Sequence, residues 1–324
     1  MISKGIKVPK IYAENILKEL KEKGFFNKKL KLKHDNDYLI IPVEDRFNSN
    51  DYEISYYDFE ELVERKSYKD YLDIDDEIKK RLPTSYDRIG DIVIIKLEDD
   101  LLKYAKNIAE SILKFHKNVR TVAIDYGVKG EYRIRNLKIV FGNDDDTIYI
   151  ENGVKMYVNP FKVYFSPRLA NERKRIADKV NENEIIFDLF CGSGPFSMNI
   201  AKKKNSIIYS VDKNPYGIEL LKRSKVMNKF NNIIPIVGDV RVILNNLPPA
   251  DRIIMDLPFN STEFLKYVKN NVKIGTKIHL YLILDKNESP KINENWVKIE
   301  SVDEVHQYSP NMSMFRIDLE VVKF

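Results

Sequence analysis

Cysteine and histidine are scarce in this chain, with one cysteine and four histidines among 324 residues. The single cysteine, Cys191, cannot form an internal disulfide, and nothing in the sequence has the spacing of a zinc ligand set. No apolar run approaches the ~20 residues that span a bilayer. The N-terminal sequence MISKGIKVPK lacks the apolar core of a signal peptide. We therefore expect a cytoplasmic protein with no membrane partner and no bound metal.

A large excess of one charge sign is also missing, because 54 lysines and arginines nearly balance 49 aspartates and glutamates. The charge is nevertheless uneven along the chain. Residues 1–34 contain ten lysines against three glutamates, and residues 155–175 are basic again. Separate basic surfaces on a nearly balanced protein indicate contact with a polyanion such as a nucleic acid. A lysine-rich surface that only faces solvent is the alternative.

The length predicts two or three domains. Residues 1–68 are predicted to form a small α+β domain. It contains an amphipathic helix over 11–24, where apolar residues recur at helical spacing before a glycine, and a strand in DYLIIPV. The acidic, tyrosine-rich stretch at 44–72 is predicted to form a helix and a linker.

Residues 69–166 are predicted to form a second, middle α+β domain. Leu101 to Phe115 is predicted to be a helix. The predicted strands are IGDIVIIKL, VRTVAIDYG, TIYI, VKMYV and VYFS. The sequence ENG between TIYI and VKMYV is typical of a hairpin turn.

Residues 167–324 show the alternation of strands and helices that is typical of βαβ units. After a helix over 168–180, the predicted strands are 185–189, 206–211, 233–237 and 251–255, and the predicted helices are 195–203, 214–228 and 260–271. Three strands, KIHLYLIL, WVKIESVDEVHQY and MFRIDLEVV, end the chain. We therefore predict an α/β fold: a C-terminal Rossmann-like domain, whose doubly wound sheet carries an antiparallel edge strand, preceded by two smaller α+β domains.

The motif DLFCGSGPF follows the first strand of this region and opens a helix. Gly192 and Gly194 allow a sharp turn and a close approach of the backbone to a ligand, and a helix N-terminus suits a carboxylate. A dinucleotide-binding motif would have a third glycine where this chain has Ser197. Asp188 precedes the glycines. These details favour S-adenosyl-L-methionine over a dinucleotide.

Two more aspartates end the next two strands. Asp212 lies about 20 residues after the glycines, where an acidic side chain accepts hydrogen bonds from both ribose hydroxyls. Asp239 is placed to accept a hydrogen bond from the adenine amino group. Both have a structural alternative, because Asp239 can be a helix N-cap and Asp212 opens a helix-initiating turn with Asn214 as N-cap and Pro215 at the first helical position.

The sequence DLPF, from Asp256 to Phe259, ends the fourth strand, where the transferable methyl group is expected. It resembles the [DNS]-P-P-[YFW] loop of enzymes that methylate ring or amino nitrogens of bases, with leucine in place of the first proline. In that loop a polar side chain and a carbonyl bind the target edge, and an aromatic ring stacks on the base. A plain turn from strand to helix is the alternative.

Nearly the whole chain resembles the archaeal and eukaryotic tRNA (guanine-N1)-methyltransferases, which modify the purine at tRNA position 37, 3′ of the anticodon. The matching segments are VKGEYRIR, KVYFSPRLANER, DLFCGSGPF, DKNPYGIELLK, GDVR and DLP. The resemblance implies a Rossmann-like methyltransferase domain, S-adenosyl-L-methionine as cofactor, and tRNA as partner, bound at its anticodon stem-loop and its outer corner. We further expect a monomer.

The resemblance also implies which residues act. Guanine N1 carries a proton, so its methylation needs a base, while negative charge builds on O6. Glu172 matches the general base, and Arg133 matches the arginine that stabilises the oxyanion. Tyr164 matches an aromatic residue that helps to place the target base, and Asp256 contacts that base. The predicted cofactor-binding residues are Arg173, Asp188, Phe190, Gly192, Gly194, Asp212, Lys213, Asp239, Val240, Asp256 and Pro258.

One departure from the family affects the predicted product. The best-known branch has Asn-Leu-Pro where this chain has Asp256-Leu257-Pro258, and a carboxylate accepts hydrogen bonds whereas an amide also donates them. Two alternatives therefore stay open: an enzyme that also methylates C7 of 4-demethylwyosine at the same position, and an aminocarboxypropyl transferase of wyosine synthesis. A DNA or protein amino-methyltransferase and a non-enzymatic RNA-binding protein are further alternatives.

Overall fold

The computed structural model describes residues 1–62, 66–130 and 134–323. Arg133, predicted to stabilise the oxyanion, therefore lies outside the described residues. The chain divides into two compact units, residues 1–67 and 68–324, and each is described by itself below. The predicted boundary between a middle and a C-terminal domain at residue 166 stays a prediction.

The first unit is a four-stranded antiparallel sheet with a helix. Its elements are β1 (Ile2–Pro9), α1 (Lys10–Glu22), β2 (Lys33–Asp35), β3 (Tyr38–Pro42) and β4 (Glu53–Asp58), and the strand order is β2-β3-β1-β4. Ala13 and Leu20 of α1 share a buried core with Ile6 and Ile41 of the sheet. The predictions of the helix over 11–24 and of the strand in DYLIIPV are confirmed.

The predicted helix in the acidic stretch at 44–72 is wrong. Its described residues form β4 and one turn of 3-10 helix at Tyr68–Tyr71. In β4, Ile54 and Tyr57 are partly buried, and β-branched and aromatic side chains pack well on a pleated sheet. Pairing with β1 thus outweighs the weak helical pattern of the acidic residues.

The second unit begins with a mixed four-stranded sheet followed by a two-stranded hairpin. The elements are α2 (Asp76–Arg81), β5 (Asp87–Ile89), β6 (Ile92–Ile95), α3 (Ala105–Phe115), β7 (Thr121–Lys129), β8 (Ile134–Phe141), β9 (Thr147–Glu151) and β10 (Val154–Val158). The sheet has the order β5-β6-β7-β8, in which β6 and β7 are parallel. The hairpin of β9 and β10 is the one predicted from ENG.

Two predicted strands of this region differ in the structure. IGDIVIIKL contains a turn, because Gly90 has a φ of +58° and separates β5 from β6. A Cβ at Gly90 would lie 2.2 Å from Oγ1 of Thr147, so this turn requires glycine. VYFS is not a strand: Oδ1 of Asn159 accepts hydrogen bonds from the backbone amides of Phe161 and Lys162 and starts a turn instead.

The rest of the second unit is built around a seven-stranded sheet. Its elements are α4 (Ala170–Lys179), β11 (Ile185–Leu189), α5 (Pro195–Lys203), β12 (Ile207–Asp212), α6 (Pro215–Met227), β13 (Ile233–Val237), α7 (Val240–Ile243), β14 (Ala250–Met255), α8 (Leu265–Val268), β15 (Val272–Asp285), β16 (Val297–Gln307) and β17 (Met312–Val321). The strand order is β13-β12-β11-β14-β15-β17-β16. The first five strands are parallel, and β17 is antiparallel to both neighbours. The predicted α/β fold class is confirmed.

This topology fixes where a ligand can bind. The chain leaves β11 on one side through β12 and β13 and returns on the other side at β14. In open α/β sheets, ligands bind at the carboxyl ends of the strands where the order reverses. β11 is rigidly held there because Ile186 lies in one buried core and Phe187 and Leu189 in another. Across the described ranges, every helix is too short or too polar to cross a membrane.

Candidate active site

A cavity of about 490 Å³ lies at the carboxyl ends of β11, β12 and β14. It brings together most of the predicted residues. Those that line it are Tyr164, Arg173, Asp188, Phe190, Gly192, Asp212, Lys213, Asp239, Val240, Asp256 and Pro258. Gly194 lies in the same turn as Gly192. Glu172, which the structure describes, does not line the cavity.

The glycine turn between β11 and α5 forms one wall. Phe190, Gly192 and Gly194 have φ values of +64°, +54° and +73°, a region that favours glycine. A Cβ at Gly194 would lie 2.4 Å from Cδ1 of Leu221, and a Cβ at Gly217 would lie 2.6 Å from the carbonyl oxygen of Gly192. The turn is therefore packed tightly against α6, and its backbone faces the cavity.

Asp188 is the penultimate residue of β11 and is 1 % exposed. Its Oδ2 accepts hydrogen bonds from the backbone amide of Ser197, at 3.1 Å, and from the Ser197 hydroxyl, at 2.5 Å. Its Oδ1 is buried and has no hydrogen-bond partner among the described residues. Burial raises the pKa of Asp188 to about 7; the bonds from Ser197 oppose this rise, and the charges of Asp256 and Asp212 add to it. An unpartnered buried carboxylate oxygen at a cavity wall suits a positively charged ligand.

Asp212 ends β12 and joins the two loops that frame the cavity. Its Oδ2 accepts a hydrogen bond from the backbone amide of Gly192 and its Oδ1 one from that of Asn214, both at 2.7 Å. Burial raises the pKa of Asp212, and these two amides oppose the rise. Asn214 caps α6 through a bond from the amide of Tyr216, with Pro215 as first helical residue, so the helix-initiating turn is confirmed.

Asp239 caps α7, as its structural alternative predicted. Its Oδ1 accepts hydrogen bonds of 2.9 Å from both the backbone amide and Nε of Arg241. Nζ of Lys213 lies 3.5 Å from Oδ2. Hydrogen bonds from the Arg241 side chain hold the pKa of Asp239 well below its usual range. Asp239 is thus ionised and still lines the cavity, so capping and ligand binding are compatible.

Glu172 and Arg173 lie in the first turn of α4 and point in different directions, because neighbouring helical residues are rotated by about 100°. Glu172 lies behind the cavity wall and is 6 % exposed. The Tyr281 hydroxyl, Arg175 and Arg316 donate hydrogen bonds to its carboxylate. Arg173 lines the cavity and is held by Glu151, whose Oε2 lies 2.6 Å from its Nη1.

Asp256 and Tyr164 line the cavity beside the residues that are predicted to bind the cofactor. Asp256 follows β14 directly, and its carboxylate accepts no hydrogen bond from any residue that the structure describes. Burial raises the pKa of Asp256 to about 6; the positive charge of Arg173 opposes this rise and the negative charge of Glu172 adds to it. Tyr164 is 46 % exposed, and the guanidinium of Arg135 lies 5.8 Å from its ring centre.

Several cavity residues were not singled out as site residues from the sequence. Phe264, His306 and Tyr308 line the cavity, together with Phe259 of the DLPF loop. Phe259 and Tyr308 are in edge-to-face contact with ring centres 5.9 Å apart. Tyr308 is near Phe259 only because the chain-terminal hairpin of β16 and β17 folds beside the parallel sheet, and no local motif signals that contact.

The donor set suits S-adenosyl-L-methionine. The cavity presents a row of acidic strand ends, Asp188, Asp212 and Asp239, and the glycine turn at one helix N-terminus. The unpartnered oxygen of Asp188 supplies an acceptor for a cationic group. When bound, S-adenosyl-L-methionine supplies an electrophilic methyl group on a sulfonium centre. Among the described residues, no group of three or more histidine, cysteine or acidic side chains is arranged to hold a metal ion.

Fold and site together define a Rossmann-like, S-adenosyl-L-methionine-dependent methyltransferase. Comparison with known families agrees: residues 147–309 match the TRM5/TYW2 methyltransferase domain, residues 68–146 the TYW2 N-terminal domain, and residues 5–53 the tRNA methyltransferase 5 N-terminal domain. The chain belongs to the TRM5/TYW2 methyltransferase family.

Its relatives include enzymes with different products. The chain is 39 % identical over 86 % of its length to the tRNA (guanine(37)-N(1))-methyltransferase Trm5b of Pyrococcus abyssi, of which 83 % is covered. It is 33 % identical to Trm5b of Methanocaldococcus jannaschii over 98 % of both chains. It is also 33 % identical, over 60 % of its length and 77 % of the relative, to the tRNA(Phe) (4-demethylwyosine(37)-C(7)) aminocarboxypropyltransferase of that organism.

Solved structures show the same likeness. The structure of aTrm5 in complex with tRNALeu superposes with a TM-score of 0.71 and 31 % identity, covering 98 % of this chain and 99 % of that one. The structure of Pyrococcus horikoshii TYW2 in complex with MeSAdo gives a TM-score of 0.67 and 26 % identity, covering 79 % of this chain and 98 % of that one.

Proposed function

We propose that the protein methylates N1 of guanine at position 37 of tRNA. The observation that carries the proposal is the similarity to a tRNA (guanine(37)-N(1))-methyltransferase over 98 % of both chains. This similarity includes the N-terminal segment 5–53. The match to the aminocarboxypropyltransferase of the same organism covers only 60 % of this chain. A family structure solved with tRNALeu supports tRNA as the substrate.

The positions of the residues that line the cavity support a binding role for each of them. Asp212 accepts hydrogen bonds from the ribose hydroxyls, and Asp239 accepts one from the adenine amino group. The target base, turned out of its stack, enters between Asp256 and the half-exposed ring of Tyr164. The roles of Arg133 as oxyanion donor and of Glu172 as general base stay predictions from the family resemblance.

We also infer that the first unit makes a second contact with the tRNA, at the outer corner of the tRNA. It carries the ten lysines of residues 1–34. Lys10 and Lys18 of α1, and Lys28 in the loop that follows, are exposed. Exposed lysines bind phosphates without reading sequence, which fits recognition of tRNA shape. That the enzyme is cytoplasmic and monomeric stays a prediction.

The test is a methylation assay with isotope-labelled S-adenosyl-L-methionine. Two tRNA transcripts that differ only in having G or A at position 37 are offered side by side with duplex DNA and a mixture of proteins. We expect labelled 1-methylguanosine, identified by mass spectrometry of nucleosides, from the G37 transcript alone. Label in DNA or protein, or in the A37 transcript to the same extent, would contradict the proposal.

Methylation of C7 of 4-demethylwyosine is a second candidate, favoured by Asp256. A carboxylate in place of an amide changes the hydrogen bonds offered to the target base. The candidate is tested by offering tRNA that carries 4-demethylwyosine. A mass gain of one methyl group shows the second activity, a gain of one aminocarboxypropyl group shows the transferase of the relatives, and no gain restricts the enzyme to guanine.

A further inference from the structure

Two half-exposed aromatic rings lie side by side in the cavity wall. Phe259 of the DLPF loop and Tyr308 of the turn between β16 and β17 both line the cavity, and each is 45 % exposed. Their ring centres are 5.9 Å apart, and their planes lie at 77° to each other. Of the phenylalanines that the structure describes, only Phe259 and Phe141 are more than 40 % exposed. Adjacent exposed aromatic rings in a cavity wall are typical of a ligand-binding surface, and their exposure places them where the cavity opens to solvent.

Backbone hydrogen bonds hold both rings in place. In the DLPF loop, the amide of Ile283 in β15 donates a 3.0 Å hydrogen bond to the carbonyl oxygen of Pro258. In the turn between β16 and β17, the amide of Tyr308 donates a 2.9 Å hydrogen bond to the carbonyl oxygen of Met312. Neither bond involves an aromatic side chain, so we expect both loops to keep their conformation when a ring is removed. Rings on a fixed backbone also lose little conformational freedom when they bind a ligand.

A base that enters the cavity brings the two adjoining nucleotides to its entrance, because phosphodiester bonds join the three. Turning the target out of its stack also takes a stacking partner away from each neighbour. In single-stranded RNA, aromatic side chains supply such a partner. Phe259 follows Asp256 by three residues in the same loop, and the target base is proposed to lie beside Asp256. The pair of Phe259 and Tyr308 therefore lies on the side of the entrance that an adjoining base would reach.

We propose that Tyr308, with Phe259 beside it, stacks on the nucleobase that directly adjoins the target in the tRNA strand, at position 36 or 38. The inference rests on the proposed function. The ring of Tyr308 makes the contact, and its hydroxyl is not required. Since every base has a π-face, such a contact is sequence-tolerant. It holds the anticodon loop open around the turned-out target, so Tyr308 is a substrate-binding residue that takes no part in proton or methyl transfer.

The first experiment measures binding of three tRNAs in the presence of S-adenosylhomocysteine. One is intact with G37, and the other two lack the base at position 36 or at position 38. Tyr308→Ala should raise the dissociation constant of the intact tRNA about 5- to 100-fold, but that of one of the two abasic tRNAs by no more than about twofold, because the stacking partner is already missing. Tyr308→Phe keeps the ring and should bind the intact tRNA as the parent does. Phe141→Ala removes a ring of similar exposure, 43 %, outside the cavity lining, and is the control.

The second experiment locates the contact directly. tRNAs carrying 5-iodouridine at position 36 or at position 38 are bound to the parent protein and irradiated with long-wavelength ultraviolet light, which links this base to an aromatic ring stacked on it. Mass spectrometry of the digested protein identifies the linked residue. We expect conjugates at Tyr308 or Phe259 from one of the two tRNAs. Conjugates on other residues only, or none from either tRNA, would overturn the proposal.

The proposed function and this inference fail separately. If the parent protein forms no 1-methylguanosine on the intact tRNA, the proposed function is wrong, and the photochemical experiment still decides whether Tyr308 stacks on the RNA. If the product forms but Tyr308→Ala weakens the intact and both abasic tRNAs equally, or weakens none of them, only this inference is wrong. A loss of affinity in Tyr308→Phe as large as that in Tyr308→Ala would likewise overturn it, because the ring alone is proposed to make the contact.

Discussion

The backbone amide of Gly192 donates a 2.7 Å hydrogen bond to Oδ2 of Asp212. This bond joins the glycine turn after β11 to the end of β12, the two walls of the cavity on that side. The other oxygen of Asp212 accepts from the amide of Asn214, also at 2.7 Å. Within the described part of the chain, these two backbone amides are the only donors to the carboxylate, so its remaining lone pairs are available to a ligand.

Replacing Asp212 should weaken cofactor binding strongly. Asp212→Ala removes the acceptor for two backbone amides and for the predicted ribose hydroxyls. Since hydrogen bonds to a charged group contribute about 1.5–3 kcal/mol each, we expect the dissociation constant of S-adenosylhomocysteine, measured by calorimetry, to rise about 10- to 100-fold. Glu219→Gln, which removes an exposed carboxylate of α6, is the control and should bind as the parent does. Equal affinities for Asp212→Ala and the control would remove Asp212 from the cofactor site.

Gly194 should tolerate no side chain. Its φ is +73°, and an added Cβ would lie 2.4 Å from Cδ1 and 3.0 Å from Cγ of the buried Leu221. Backbone strain costs about 1–3 kcal/mol and overpacking about 1–3 kcal/mol more. In urea unfolding, the free energy of unfolding of Gly194→Ala should therefore be lower by the sum of both costs. The matched control is Gly275→Ala, with φ of +89° and no atom within 4 Å of the added Cβ, which should show the strain alone. Equal losses of unfolding free energy in the two variants would mean that α6 shifts to accommodate the added methyl group without an energetic cost.

The part of the cavity wall that the strand ends form could be predicted because its residues are local. Asp188, Gly192 and Asp212 each lie at a strand end that periodicity and turn residues mark, and parallel strands bring such ends to one edge. The strands β11 and β13 coincide with their predicted bounds. A continuous apolar run between turn signals suffices for a strand that is buried on both faces.

The rest of the site depends on contacts that are distant in sequence. Glu151 of β9 holds Arg173, and Arg316 of β17 holds Glu172. Neither partner belongs to a motif. The failed strand prediction for VYFS has the same origin. Val163 and Phe165 alternate with polar residues and are buried, as in a strand, but Asn159 directs the backbone into a turn. Tertiary packing decides the conformation of such segments, and a single sequence does not reveal that packing.

Asp188 should make the free protein less stable at higher pH. Its pKa is raised to about 7 in the folded state against about 3.9 when unfolded. Its contribution is complete below pH 4 and is lost as pH rises towards 7, since ionisation is then easier in the unfolded chain. Asp188→Asn removes this loss of folding stability with rising pH, because asparagine does not ionise. The variant's stability relative to the parent, from urea unfolding without cofactor, should be about 2 kcal/mol more favourable at pH 8 than at pH 5.5. A difference that does not change with pH would show that Asp188 titrates normally.

The lysines of the first unit should determine how tRNA binding depends on salt. Each phosphate contact that a lysine makes adds about 0.7–0.9 to the slope of log affinity against log salt concentration. Replacing the exposed Lys10, Lys18 and Lys28 together by glutamine should therefore weaken tRNA binding and reduce the slope by about 2. Filter-binding titrations between 50 and 300 mM salt measure both quantities. The matched control replaces three exposed lysines of the second unit, Lys106, Lys114 and Lys117, and should leave the slope near that of the parent. If both triple variants keep the parent's slope, the lysines of residues 1–34 face only solvent, and the tRNA is held elsewhere.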